Sequence, residues 1–185
     1  MALKPVHRED RQDREWIRRV ADERDTSALE ALYRRFRGPL GTFLGRMLAE
    51  AIVVDEVFNE VMWTVWRKAS TYNGKSRVST WLYSIAYRQA LSALRRYRPR
   101  YTDSVEADEV AAPEGTSLPD ADLVRKALGQ LSADHRLVIE LVYFEGRQYD
   151  EVAEIADCPL NTVKSRMFHA RKRLKTVLAD LGESL

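Results

Sequence analysis

The amino-acid sequence predicts an all-α protein of two small helical domains joined by a flexible acidic linker, and three observations carry that expectation. Apolar residues recur at the helical period of about 3.6 along most of the chain, while strand-like alternation bounded by turn signals is hard to find. Glycine and proline are scarce, at 8 and 6 of 185 residues. Between Pro99 and Pro119, however, Pro113 and Gly115 also fall, and residues 101–120 hold six acidic and no basic side chains. That composition is a linker signature.

The elements follow in order. A first helix is expected over residues 11–22. SALE (27–30) matches a capping box that opens a second helix. Its stripe is Leu29, Leu32, Phe36, Leu40, Phe43, Leu44 and Met47, with a kink or break expected at Gly38-Pro39. A third helix covers 51–69, with Val54, Val57, Phe58, Val61, Met62, Val65 and Trp66 inward. TYNGKSRVS (71–79) is a polar loop around Asn-Gly, and a fourth helix runs over 78–97. Beyond the linker, helices are expected at 121–131 and 133–144, and then a short pair ends near 181. The domains are therefore 8–98 and 120–183, with the linker at 99–119.

Charge sharpens this division. The formal net charge is only +2, yet residues 1–100 hold 20 basic against 12 acidic side chains, and 121–185 hold ten of each. Near-neutrality averages over three unlike segments. One cysteine, Cys158, excludes an intrachain disulfide framework and a cysteine-based zinc ribbon. The start, MALKPVHRED, has no apolar h-region, and no run approaches the roughly 18 apolar residues of a membrane span. These features predict a soluble cytoplasmic protein without membrane insertion.

The strongest local signal is QYDEVAEIADCPLNTVKSRMFHARKRLKT (148–176). A short helix over 149–156, a tight turn at Asp157-Cys158-Pro159 and a second helix from Leu160 fit a helix-turn-helix. Small Ala153 suits the helix crossing, and apolar Val163 seats the second helix on the first. The inward stripe of that helix is Leu160, Val163, Met167, Ala170, Leu174 and Leu178. Its outward positions include Asn161, Thr162, Lys164, Ser165, Arg166, His169, Arg171, Lys172 and Lys175. Six bases without an acid between Lys164 and Lys175 suit phosphate contact, and Asn, Ser, Lys and Arg suit base edges. The competing reading is a solvated basic face on an ordinary bundle.

From Leu118 to Leu174 the chain resembles region 4 of the extracytoplasmic-function (ECF) subfamily of bacterial sigma factors, within the sigma-70 family. DEVFNEVMWTVWRKA (55–69) followed by STWLYSIAYRQALSALRR (79–96) resembles region 2 of the same family. The resemblance implies an alternative sigma factor that directs promoter-specific transcription initiation. It implies core RNA polymerase (largest-subunit clamp helices and flap), promoter DNA and a cognate anti-sigma factor as partners.

On the third helix Asp55, Glu56, Asn59, Glu60 and Trp63 face away from the apolar stripe. Composition alone weighs this equally as a solvated acidic turn; the resemblance implies that the face docks on core polymerase. Asn73, Lys75, Ser76, Arg77, Thr80, Ser84, Tyr87 and Arg88 offer donors, charge and aromatic surface for holding an opened strand. By resemblance they read and melt the −10 element, while Trp81 reads better as core. The outward residues 161, 162, 164, 165, 166, 169, 171 and 172 of the last helix read the −35 element.

Three departures stand out. Asp157 replaces the usual Gly of the turn, Phe168 occupies an outward position, and residues 51–54 are all apolar. Ser132, Asp134 and His135 are a helix cap with neighbours rather than a catalytic triad. No catalytic, metal or cofactor constellation is expected, so the chain reads as a non-enzyme. Cys158 reads as a small buried apolar residue in the turn. The rival function is a helix-turn-helix regulator that never engages core polymerase.

Overall fold

The computed structural model describes residues 6–48, 51–97 and 119–182. Eight α-helices are arranged as two four-helix units, with no strand among the described residues. Apart from Pro119, the expected linker lies outside the described residues.

The first unit comprises α1 (Val6–Glu23), α2 (Thr26–Met47), α3 (Ala51–Lys68) and α4 (Val78–Arg96), with a 3₁₀ turn at Ala69–Thr71. α2 starts before the expected capping box. Asp25 is its N-cap, accepting from the Ser27 and Ala28 N–H groups at 2.8 and 3.2 Å, and Arg19 pairs with the same carboxylate. The Ala28 bond above all holds this carboxyl below its usual range. A charged acceptor reaches the free N–H groups first, so Ser27 falls inside the helix. α2 also runs through Pro39 without the expected break. Leu32, Phe36, Leu40, Phe43, Leu44 and Met47 are buried on the same helix, and that packing offsets the one backbone bond the proline removes. α3 buries its expected stripe except Trp66, which is half-buried at the rim beneath the Arg24 guanidinium, 4.2 Å from its ring.

The second unit comprises α5 (Pro119–Gly129), α6 (Ala133–Ile139), α7 (Tyr149–Ala156) and α8 (Leu160–Gly182). Pro119 stands first in α5, where its missing N–H would have had no partner. Ser132 caps α6 by accepting from the His135 N–H at 3.3 Å. The single helix expected over 133–144 is instead α6 followed by a π turn at Glu140–Phe144. Such a widened turn inserts one residue into the helical register. Here it accompanies a fully buried carboxylate, Glu140. Between α7 and α8, Asp157 adopts the left-handed conformation (φ 51°, ψ 50°) that the turn requires. Val163, Met167, Ala170 and Val177 are buried along α8, while Leu160, expected inward, is exposed at its first position.

The two units share one continuous apolar core. α4 lies against α7, and the C-terminal end of α2 touches α6. None of the described helices is long and apolar enough to cross a membrane.

Candidate nucleic-acid and polymerase interfaces

On α8 the buried residues define one side, and at about 100° per residue the opposite side follows directly. Asn161, Ser165, Phe168 and Lys172 lie at its centre, all exposed. Lys164, Arg171 and Lys175 flank them on one edge, with His169 and Arg173 on the other. Potential edge readers thus sit in the middle and cations along the margins. Phe168, 66% exposed, packs edge-on to His169 at 5.3 Å. Arg171 stands over the Tyr143 ring at 5.5 Å, bringing a residue from the π turn to the same margin. Arg166 is placed differently: it is half-buried and donates to Asp134 at 2.6 Å. Its other nitrogen lies 3.7 Å from Cys158 Sγ, and that cysteine is half-buried rather than buried. Thr162 is also half-buried.

The polar loop before α4 is held from α1. Arg14 donates to the Gly74 and Ser76 carbonyls at 2.8 and 3.1 Å, and Asp10 accepts from the Val78 N–H at 3.2 Å. Asp10 thereby caps α4 from 68 residues away, where Arg77, the N-cap residue, offers no side-chain acceptor. Asn73 accepts from the Lys75 N–H in an Asx turn, and both side chains are exposed. Glycine is needed at position 74, where φ is +72°. Tyr72 packs at a tilt against Trp81, ring centroids 5.6 Å apart, and donates to the Ser76 carbonyl; Trp81 is half-buried.

Along α4 the expected strand-binding residues separate into two groups. Arg77 and Arg88 are exposed, while Thr80, Ser84 and Tyr87 are buried. Thr80 donates to Glu151 at 3.4 Å and Tyr87 to Asp134 at 2.6 Å, both on the second unit. Burial, with the Asp134 bond, raises the Tyr87 hydroxyl above its ordinary pKa. Ser84 donates to its own helix at the Trp81 carbonyl.

On α3, Asp55, Glu56, Asn59 and Trp63 are exposed and Glu60 half-buried, all on one face. Trp63 is 59% exposed, and Ile52, 78% exposed, extends the face toward the helix start. The acids are less bare than the sequence suggests. Arg96 reaches Glu56 and Glu60 at 3.5 and 3.2 Å, the Tyr97 hydroxyl donates to Glu56 at 2.7 Å, and Arg37 pairs with Asp55 at 2.5 Å. Spacing along α3 does not point to these partners, because Arg37 comes from α2 and Arg96 and Tyr97 from the end of α4.

The second unit is thus a helix-turn-helix module with a basic outer face, joined to a bundle that carries a donor-rich helix start and an acidic helix face. The family model for sigma-70 region 2 matches residues 32–100, and that for sigma-70 region 4 matches residues 121–174. The chain is 30% identical over 172 residues to the ECF RNA polymerase sigma-E factor of Escherichia coli, covering 85% of this chain and 90% of that one. It is 29% identical over 185 residues to the RNA polymerase sigma-H factor of Pseudomonas aeruginosa, covering 92% and 95%. Among solved structures, CnrH in complex with the cytosolic domain of CnrY matches with a TM-score of 0.70 at 21% identity, over 91% of this chain and 98% of that one. The sigma factor RpoE of Bartonella quintana, in complex with the anti-sigma factor NepR, matches with a TM-score of 0.65 at 24% identity, over 81% and 96%. The chain belongs to the ECF sigma factors of RNA polymerase, which are transcription initiation factors.

Proposed function

We propose that this sigma factor docks on core RNA polymerase through the α3 face, reads the −35 element with α8, and reads and melts the −10 element with the loop at 72–77 and the exposed side of α4. The observation that carries this reading is the α8 surface, where polar edge readers are flanked by cations and no acid interrupts the run from Lys164 to Lys175. On α3, Trp63 supplies an apolar anchor among acids, the arrangement expected of an interface hot spot. The protein acts in the cytoplasm as a non-enzymatic subunit. Because the structurally similar B. quintana factor was solved with an anti-sigma factor, we assign this chain a cognate restraint of the same kind.

Run-off transcription with core enzyme on genomic templates tests the whole reading: promoter-specific transcripts are expected, and their absence overturns it. Reversing the charges of Asp55, Glu56 and Glu60 separates it from the regulator alternative. Affinity for core polymerase should fall while duplex binding persists. Unchanged polymerase affinity would remove α3 from the interface.

A further inference from the structure

We infer that Arg96 and Tyr97, at the end of α4, are positioning residues of the polymerase-docking face: they hold Glu56 and Glu60 of α3 in the orientation that meets core RNA polymerase. The inference rests on the docking role proposed for α3 and adds to it two residues of another helix.

The contacts between α3 and α4 form an antiparallel ladder. Gln89 donates to Thr64 at 3.3 Å, Arg96 donates to the two oxygens of Glu60 at 3.2 and 3.3 Å, and the Tyr97 hydroxyl donates to Glu56 at 2.7 Å. Gln89 and Arg96 stand about two helical turns apart, so they share one side of α4, the side turned to α3. At about 100° per residue, Arg95 falls instead within about 20° of Arg88, which reaches Asp157 of the second unit. Of the two arginines that close α4, Arg96 is directed at α3 and Arg95 turns off it.

Glu56 and Glu60 lie one helical turn apart on α3, where like charges repel. Arg96 bridges them: one guanidinium nitrogen lies 3.5 Å from Glu56 Oε1, and another makes the Glu60 bonds. Tyr97 takes the second oxygen of Glu56, Oε2. That bond above all raises the Tyr97 hydroxyl beyond its ordinary pKa and keeps it a donor. The Arg96 guanidinium also lies 5.7 Å from the centre of the Tyr97 ring. The side chains of Glu56 and Glu60 are nonetheless 43% and 33% exposed, which leaves surface for a partner. Exposed pairs of this kind add little to stability. What they change is rotamer freedom: a long side chain ordered only on binding costs affinity, and one ordered beforehand does not. Two glutamates ordered in advance correspond to about tenfold in Kd.

The test measures the affinity of full-chain variants for core RNA polymerase by anisotropy of the labelled sigma factor, with circular dichroism melts as the folding check. Arg96→Ala should weaken binding about tenfold and Tyr97→Phe about threefold, with little change in thermal midpoint. Arg95→Ala, the control for a lost positive charge, should leave Kd unchanged. In the Glu56→Ala/Glu60→Ala background, itself weakened, Arg96→Ala should cost nothing further, because it acts through those acids. An Arg96→Ala chain that binds as well as wild type overturns the positioning role, and one that binds more tightly makes Arg96 a competitor for the acids instead. Equal losses from Arg95→Ala and Arg96→Ala overturn it too, as does an undiminished Arg96→Ala loss in the background without the acids. An unchanged Kd for Tyr97→Phe removes Tyr97 from the inference. If Glu56→Ala/Glu60→Ala binds like wild type, the docking role of these acids fails and the inference with it. If that variant is weakened while Arg96→Ala is not, the docking role stands and only the inference falls.

Discussion

The salt dependence of duplex binding is the most quantitative consequence of the α8 geometry. Lys164, Arg171, Lys172, Arg173 and Lys175 are exposed, whereas Arg166 is already neutralised by Asp134. Each phosphate neutralised releases condensed counterions and contributes about −0.9 to the slope of log K against log salt. Five contacts predict a slope near −4.5, a loss of roughly 500-fold in affinity between about 50 and 200 mM salt. Lys175→Ala should make the slope shallower by about 0.9, while Arg166→Ala should leave it unchanged. Fluorescence anisotropy of the full chain on a promoter duplex across a salt series measures all three. A wild-type slope shallower than about −2 would refute the assignment of the basic face. An Arg166→Ala slope shifted as far as that of Lys175→Ala would instead refute the pairing of Arg166 with Asp134 in solution and add Arg166 to the phosphate contacts.

Three further outcomes are expected. Trp63→Ala should weaken core polymerase binding by about 2 kcal/mol, roughly thirtyfold, with no change in thermal midpoint; titration calorimetry and a melting curve decide it, and an unchanged Kd removes Trp63 from the interface. Ile155 is fully buried on α7, so Ile155→Ala should cost about 3 kcal/mol in urea denaturation, and a loss below about 1 kcal/mol would contradict that packing. Burial raises the Glu140 carboxyl above its ordinary value of 4.5, so the folded chain binds this proton more readily than the unfolded chain. Its contribution to stability is full below that value and is lost as pH rises through the folded one. The stability of Glu140→Gln relative to wild type should therefore grow with pH, and a difference that shrinks as pH rises would refute the burial argument.

What the sequence revealed and concealed divides by the range of the interaction. The apolar stripes of α2 and α3, the Ser132 cap and the left-handed turn at Asp157 all depend on neighbours within a turn or two, where periodicity and cap chemistry speak directly. The cap falls at Asp25 rather than Ser27 because both have capping chemistry and the charged acceptor, with Arg19 beside it, takes the free N–H groups. The π turn leaves no trace in apolar spacing, so a continuous helix was expected over 133–144. The least legible features are the pairs of long sequence separation. Asp10 capping α4, Arg96 covering Glu56, and Asp134 and Glu151 covering Tyr87 and Thr80 each join residues more than 35 positions apart. Spacing along a single helix cannot report what covers it.

That limit also explains the charge distribution. Ten acids and ten bases in residues 121–185 sum to zero, which alone suggests no electrostatic preference. The fold separates them. Asp134, Glu140, Glu145, Glu151 and Asp157 face the basic first unit, while Lys164, Arg171, Lys172, Arg173 and Lys175 point to solvent from α8. Half of the acids and half of the bases thus lie on opposite surfaces, the acids paired internally and the bases left open. In this single arrangement the outer face of α8 is accessible to a duplex, while the α4 hydroxyls at 80 and 87 are already paired. On the proposed reading, a strand would meet hydroxyls already donating to carboxylates on α4, whereas a duplex would meet exposed cations on α8. The two surfaces proposed to read DNA thus differ in exposure because of where the acids between them lie.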